Sequence, residues 1–199
     1  MVPILLLAAA PQMSVIDAER AFAADAQTIG QWSAFRKWSV DDATMFVPQP
    51  INAHEFLRDR KDPAKAIDWW PTAAWVSCDG TLAVDTGGWK GPDGSVGYFT
   101  TVWKKQASGG WKWIVDSGDS LKRARRQSKH VQVHVASCSG RAHYEGLYIG
   151  NMSGGAASDG SLNWHWTAKE DGSRIVQAGM WNGRRFEQMI DDRIAAEPK

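Results

Sequence analysis

The sequence has no excess of either charge: 23 Lys and Arg residues stand against 22 Asp and Glu residues, for a net charge of +1. Such a balance gives no general attraction to nucleic acid or acidic membranes, so no nucleic-acid partner is expected. The sequence also lacks a phosphate-binding glycine loop, a nucleophile elbow and a zinc-binding helix motif. We therefore expect no cofactor and no metal.

An apolar run long enough to cross a bilayer is missing as well. Val2 to Ala10 is apolar but far too short for a membrane span. Its small residues Ala8, Ala9 and Ala10 resemble the end of an export signal, although no Lys or Arg precedes the run. The alternative is an ordinary apolar N-terminus. We predict that residues 1–12 are a signal segment and that the protein is exported to the periplasm.

Cysteine is scarce, with only Cys78 and Cys138 in the chain. Two cysteines are compatible with one disulfide if the protein is exported. In the chain-entropy model, closing so long a loop would stabilise the protein by about 4 kcal/mol. The sequence leaves open whether the two residues meet.

Tryptophan, in contrast, is abundant, with 12 residues, and it favours half-buried positions on pleated sheets. A helix is predicted first, because Ser14 and Asp17 resemble a capping box. One apolar face of this helix then recurs at helical spacing, through Val15, Ala18, Phe22, Ala26 and Ile29.

From Ala66 onward the sequence is typical of antiparallel strands. The pairs Asp79-Gly80 and Asp93-Gly94 and the run 108–110 mark tight turns between them. In the middle strand, alternation predicts one face formed by Val96, Tyr98, Thr100 and Val102 and the opposite face formed by Phe99, Thr101 and Trp103. Large side chains on both faces indicate a central strand.

Two segments, DAERAFAADAQTIGQWSAFRKWSVDDATMFVP at 17–48 and LAVDTGGWKGPDGSVGYFTTVWKKQASGGWKWIVDSGD at 82–119, resemble the nuclear transport factor 2-like superfamily. Within it, the SnoaL-like branch and the domain of unknown function 4440 are the most similar. The resemblance implies an α+β fold in which a strongly bent antiparallel sheet wraps an N-terminal helix into a cone with an apolar pocket. It implies no reaction, because the superfamily includes isomerases, dehydratases, hydrolases and non-catalytic binding domains.

The predicted organisation has four parts. The signal segment 1–12 precedes a cone domain at 14–120, a basic linker at 121–129 and a β-rich C-terminal extension, a small meander, at 130–199. A charge run such as 121–129 is usually solvated, and contact with an anionic partner is the alternative.

Three residues on successive predicted strands, Asp85, Tyr98 and Asp116, are the catalytic candidates. If they face the cone, they form a polar cluster in an apolar pocket, where desolvation raises a carboxyl pKa and allows it to act as a base. The alternative is that the two aspartates lie on the outer face or satisfy turn backbone groups.

Four further residues are candidates for ligand binding. Trp69, Trp70 and Trp103 could line the pocket, because aromatic walls dominate small-molecule sites, although such residues more commonly fill the core. His54 is the only histidine within the predicted cone.

We predict an exported module that binds a small apolar or aromatic molecule or associates with itself, for example as a homodimer. The alternative is a cofactor-independent enzyme of isomerase, dehydratase or hydrolase type, with Asp85 or Asp116 as the base and Tyr98 as a hydrogen-bond donor. A third hypothesis is sugar binding by an exposed row formed by Trp164, Trp166 and Trp181.

Overall fold

The computed structural model describes residues 13–140 and 152–196, so the predicted signal segment lies outside the described residues. Three helices precede most of the strands: α1 (Val15–Thr28), α2 (Gln31–Trp38) and α3 (Ala53–Leu57). Within the described ranges, none of the helices is long and apolar enough to cross a membrane.

The main sheet has seven strands: β1 (Ser39–Phe46), β2 (Pro50–Asn52), β3 (Asp68–Val76), β4 (Leu82–Lys90), β5 (Val96–Lys105), β6 (Trp111–Ser120) and β7 (Gln132–Val135). Their spatial order is β2-β1-β6-β5-β4-β3-β7. The β1–β6 and β3–β7 pairs are parallel and the others antiparallel. Register shifts at Pro71/Ala73 and Val102/Trp103 accompany a strong bend of the sheet.

The concave face of this sheet holds α1. The predicted apolar stripe of the helix is buried at Val15, Ala18, Phe22 and Ala26. It packs against tryptophans of the sheet, among them Trp69, Trp103 and Trp113. The predicted α+β cone is therefore present, with its core between the first helix and the bent sheet.

The N-terminus of α1 is capped as the sequence predicted. Ser14 Oγ accepts the backbone N–H of Asp17 at 3.1 Å and donates to Asp17 Oδ2 at 2.7 Å. Because an uncapped first turn leaves backbone donors without partners, Ser14→Ala should lower the free energy of unfolding by about 1 kcal/mol. Urea denaturation measures this change in the free energy of unfolding. Ser14→Asp is the control, since it keeps an acceptor at the cap, and equal losses in both variants would contradict the role of the cap.

A second sheet follows, with four strands: β8 (Met152–Ala156), β9 (Leu162–Ala168), β10 (Arg174–Trp181) and β11 (Phe186–Ile194), in the order β11-β10-β9-β8. It packs on the outer face of the main sheet in a separate apolar core that includes Val84, Val102, Leu162 and Val176. The predicted C-terminal meander therefore exists and covers the cone.

This packing corrects the sugar-binding hypothesis. Trp164 and Trp166 are 8% and 6% exposed, because they fill the core between the two sheets, and Trp181 is half-buried and donates its indole N–H to Ser139 O. An exposed row of tryptophans is therefore absent from these strands.

The segment predicted as a basic linker differs from a solvated charge run at Arg125. Arg125 is partly buried and donates to Thr86 Oγ1 at 2.7 Å and to Gly87 O at 3.2 Å. Beyond it, β7 belongs to the predicted extension in sequence but pairs with β3 in the main sheet. The cone sheet thus extends past residue 120, because a parallel edge strand is recruited from further along the chain.

Cys78 and Cys138 are joined in a disulfide across 60 residues. Cys78 lies in the turn between β3 and β4, and Cys138 follows β7. The bond therefore ties the turn of the β3–β4 hairpin to the segment that leaves the main sheet.

Candidate functional site

Three carboxyl groups converge between α1 and the concave face of the main sheet. Strand alternation places Asp85 of β4 and Asp116 of β6 on this face, together with Thr101 of β5, which pairs with both of them. From the helix side, Glu19 of α1 points into the same region. The two aspartates therefore lie on the same face of the sheet, and a third acid joins them.

Glu19 is fully buried, at 0% exposure. Its Oε1 accepts the indole N–H of Trp69 at 2.6 Å. Burial in these apolar surroundings raises the pKa of Glu19 to about 7, although the hydrogen bonds from Trp69 and Asp85 act in the opposite direction. A glutamate carboxyl that is usually ionised is thus partly protonated at neutral pH.

Asp85 is equally buried and lies next to Glu19. Its Oδ1 accepts the indole N–H of Trp103 at 3.1 Å. Burial, and then the neighbouring charge of Glu19, raise its pKa well above the ordinary value. The remaining oxygens, Glu19 Oε2 and Asp85 Oδ2, have no fixed donor among the described residues. A proton on Asp85, donated to Glu19, satisfies both oxygens and explains how two acids share a dry site.

Asp116 is the most accessible of the three carboxyl groups. Thr101 Oγ1 donates to its Oδ2 at 3.0 Å, and the residue is only partly buried. Burial nevertheless raises the pKa of Asp116 to about 7. Since no basic side chain opposes this effect, the carboxyl exchanges its proton near neutral pH.

A small cavity of about 110 Å³ opens beside Asp116. Its polar lining comes from Glu19, Thr101, Asp116 and Ser117. Its apolar wall is largely aromatic and is formed by Phe22, Phe35, Ile67, Trp69, Trp89 and Phe99. An apolar enclosure with a few convergent polar groups is typical of a small-molecule site.

A larger groove of about 490 Å³ lies beside the N-terminus of α1. Its charged residues include Arg20 and Lys129, both exposed to solvent. Solvated charges need no partner, whereas the buried acids of the small cavity carry perturbed pKa values. The small cavity is therefore the candidate site.

Tyr98 does not join the two aspartates. It pairs across the sheet with Asp119, and its ring lies on the outer face, where the Arg125 guanidinium is 4.6 Å from its centroid. Burial and the nearby Asp192 raise the pKa of its hydroxyl. Asp192 also accepts a hydrogen bond from Thr100 at 2.7 Å. Tyr98 borders the small cavity, but its ring belongs to a polar cluster between the two sheets.

Of the four predicted ligand-binding residues, only Trp69 lines the cavity. Trp103 is fully buried behind it and serves as the donor to Asp85. Trp70 packs near Gly88 and Arg125 instead. His54 lies on α3 with its Nε2 2.8 Å from Ser39 Oγ, away from the cavity wall.

Sequence reasoning missed Glu19, although one signal was present. Positions 15, 22 and 26 of α1 are buried and apolar, and position 19 lies on the same face of the helix. A charged residue inside an apolar stripe is either unfavourable or has a partner. Here its partners are an indole and a second acid.

Comparison with known proteins finds no matching family profile and no matching curated protein. Solved structures do match. A protein from Parabacteroides distasonis, described provisionally as a ketosteroid isomerase, is 19% identical, covers 54% of this chain and 86% of its own, and gives a TM-score of 0.43. A similarly described protein from Shewanella frigidimarina is 17% identical, with coverages of 55% and 98% and a TM-score of 0.41.

The CaMKII hub of S. rosetta is 20% identical, covers 58% of this chain and 100% of its own, and gives a TM-score of 0.42. Each identity is below 25% and each TM-score is below 0.5, so these matches carry no argument about the function of this chain.

Proposed function

We propose that the protein binds a small, mainly apolar molecule in the cone cavity, with Asp116 as its polar contact. The observation that carries the proposal is an aromatic enclosure beside the carboxyl group of Asp116, a residue that is only partly buried. At about 110 Å³ the cavity is smaller than typical drug-sized sites of roughly 300–1,000 Å³. An apolar cavity of roughly 150 Å³ holds benzene, so the ligand of this smaller cavity is expected to be no larger than a single small ring.

A thermal-shift experiment with phenol, cyclohexanone and toluene tests this proposal. A ligand at about ten times its Kd stabilises the folded state by about 1.4 kcal/mol, which raises the Tm by about 3–5 °C for a domain of this size. We expect at least one of the three probes to give such a shift. Absence of a shift with all three would contradict the proposal.

A cavity-filling substitution localises the effect. Phe22→Trp adds ring volume to the cavity wall and should abolish the shift. Phe56→Trp is the matched control, because Phe56 packs at the edge of the same core but does not line the cavity. Equal loss of the shift in both variants would place the binding site elsewhere.

A second candidate function, acid–base catalysis without a cofactor, is favoured by the pKa of Asp116. A carboxyl with a pKa of about 7 is suited to accept a proton from a bound substrate at neutral pH. Glu19 lines the same wall, and its protonated form supplies a hydrogen-bond donor there. Such an activity would increase as the pH rises through about 7 and would be lost in Asp116→Asn.

We also propose that the protein works in an oxidising compartment, as expected for export to the periplasm. The bond between Cys78 and Cys138 supports this, because structural disulfides are rare in reducing compartments. Fractionation of cells that produce the full chain tests it. The homodimer stays a prediction of the sequence.

A further inference from the structure

The charged groups around the cone cavity all have the same sign. The titratable groups that face Asp116 of β6 are Glu19 of α1 and Asp85 of β4, and the described residues of the cavity wall include no Lys, Arg or His. Burial raises the pKa of each acid, and no basic side chain contributes to any of these changes. The protein therefore places potential negative charge around the cavity without supplying a counter-charge.

The aromatic part of the wall is also suited to a cation. Phe22 meets Phe35 and Trp69 edge to face, with ring centroids 4.9 Å apart in both pairs, so these rings do not stack on one another's faces. Trp89 and Phe99 complete the enclosure. The faces of aromatic rings carry negative partial charge and attract cations by about 0.5–2 kcal/mol, more strongly where water is excluded.

A third observation is independent of the ring geometry. Glu19 lines the cavity at 0% exposure, and its Oε2 has no fixed hydrogen-bond donor among the described residues. Leaving a buried acceptor without a donor is unfavourable. A proton held with Asp85 can fill this role, and an ammonium group would bring both a donor and a charge.

We infer that the cavity selects a small organic cation, such as a protonated cyclic or alkyl amine, over a neutral molecule of the same size and shape. This inference rests on the proposed function and names the chemical class of its ligand. The ammonium group lies among the aromatic rings and pairs with Asp116, and Glu19 Oε2 is a second hydrogen-bond acceptor for it. The aliphatic part of the ligand fills the remaining volume.

Binding should exchange a proton for the cation. At pH 6 a carboxyl with a pKa of about 7 is mostly protonated, so the arriving ammonium displaces close to one proton from Asp116 into solvent. At pH 8 the same carboxyl is already ionised. The apparent affinity should therefore rise roughly tenfold between pH 6 and pH 8, as expected for one group with this pKa.

Calorimetric titration with pyrrolidine and tetrahydrofuran tests the inference. Both are saturated five-membered rings of nearly equal volume, but pyrrolidine is protonated at these pH values and tetrahydrofuran is neutral. We expect pyrrolidinium to bind at least tenfold more tightly at pH 8. Repeating the titration at pH 6 in two buffers of different ionisation enthalpy should show release of about one proton per pyrrolidinium and none for tetrahydrofuran.

Matched variants identify the carboxyl group. Asp116→Asn should remove the preference for the cation, whereas Asp42→Asn, an exposed site on β1, should retain it. The proton count is measured on the unmodified protein, so it does not depend on the folding of a variant. If pyrrolidinium binds without proton release at pH 6, the inference is wrong.

The outcomes separate the two proposals. Equal affinity for the two rings would overturn the preference for a cation and leave small-molecule binding intact. Failure of both rings, together with phenol, cyclohexanone and toluene, would overturn both proposals.

Discussion

Raising the pH from 5 to 8.5 should destabilise the protein by several kcal/mol. The folded protein holds protons on Glu19, Asp85 and Asp116 to higher pH than the unfolded chain does. Where the folded state binds more protons, stability falls as the pH rises. For Asp116 the fall begins near the ordinary pKa of 3.8 and is complete above about 7.

The magnitude follows from the same values. A pKa raised from 3.8 to about 7 corresponds to about 4 kcal/mol for Asp116, less the part screened by water at the cavity mouth. Glu19 and Asp85 are fully buried and add to the effect. Carboxyls with lowered pKa values, such as Asp25 and Asp62, lose their stabilising effect only at more acidic pH and do not oppose this decline.

Asp85→Asn should reverse part of the loss of stability that occurs as the pH rises. The amide oxygen of Asn can still accept from Trp103, and its NH2 group can donate to Glu19, so both hydrogen bonds survive without a second buried charge. Urea denaturation at pH 8.5 should show the variant to be about 2 kcal/mol more stable than the unmodified protein, with little difference at pH 5. The exposed Asp42→Asn is the control. A stability that does not change between pH 5 and pH 8.5 would show that the three acids are not buried together.

Removing the disulfide should lower the free energy of unfolding by about as much as ionising one buried carboxyl group does. A cross-link across 60 residues restricts the unfolded chain, and the chain-entropy model gives about 4 kcal/mol for a loop of this length. The double variant Cys78→Ala/Cys138→Ala should therefore unfold at a clearly lower urea concentration. The m-value, which is the slope of the unfolding free energy with urea concentration, should rise slightly, because an unlinked chain exposes more surface when it unfolds.

Reduction provides the matched comparison. The reduced unmodified protein should have the same stability as the double variant, and adding a reductant to the double variant should change nothing. If the oxidised and reduced proteins unfold at the same urea concentration, the bond does not constrain the chain as proposed.

The helix cap and the faces of β5 could be predicted because they depend on local chemistry. Ser14 needs only Asp17 three residues later, and alternation alone separates Thr101 from Tyr98. The face of Asp116 depends on register instead. It pairs with Thr101 rather than with Tyr98, and this alignment is set by the turn and by a register shift within the strand pair.

Long-range pairing also explains the other differences between the sequence-based predictions and the structure. β7 has a recognisable alternating pattern, but nothing near it in sequence indicates that it lies parallel to β3. Glu19 is an ordinary helix residue until Trp69, fifty residues away, donates a hydrogen bond to it. Such residues become predictable only once the partner strand and the partner side chain have been placed.

The second sheet limits how copies of this protein can assemble. Leu82, Val84 and Val115 of the cone make an apolar patch that would favour association if it were bare, but residues of β9 and β10 from the same chain already cover it. Another copy would have to displace that intramolecular contact or meet the molecule at a different surface. The C-terminal third of the chain therefore acts as a built-in substitute for a subunit on that side.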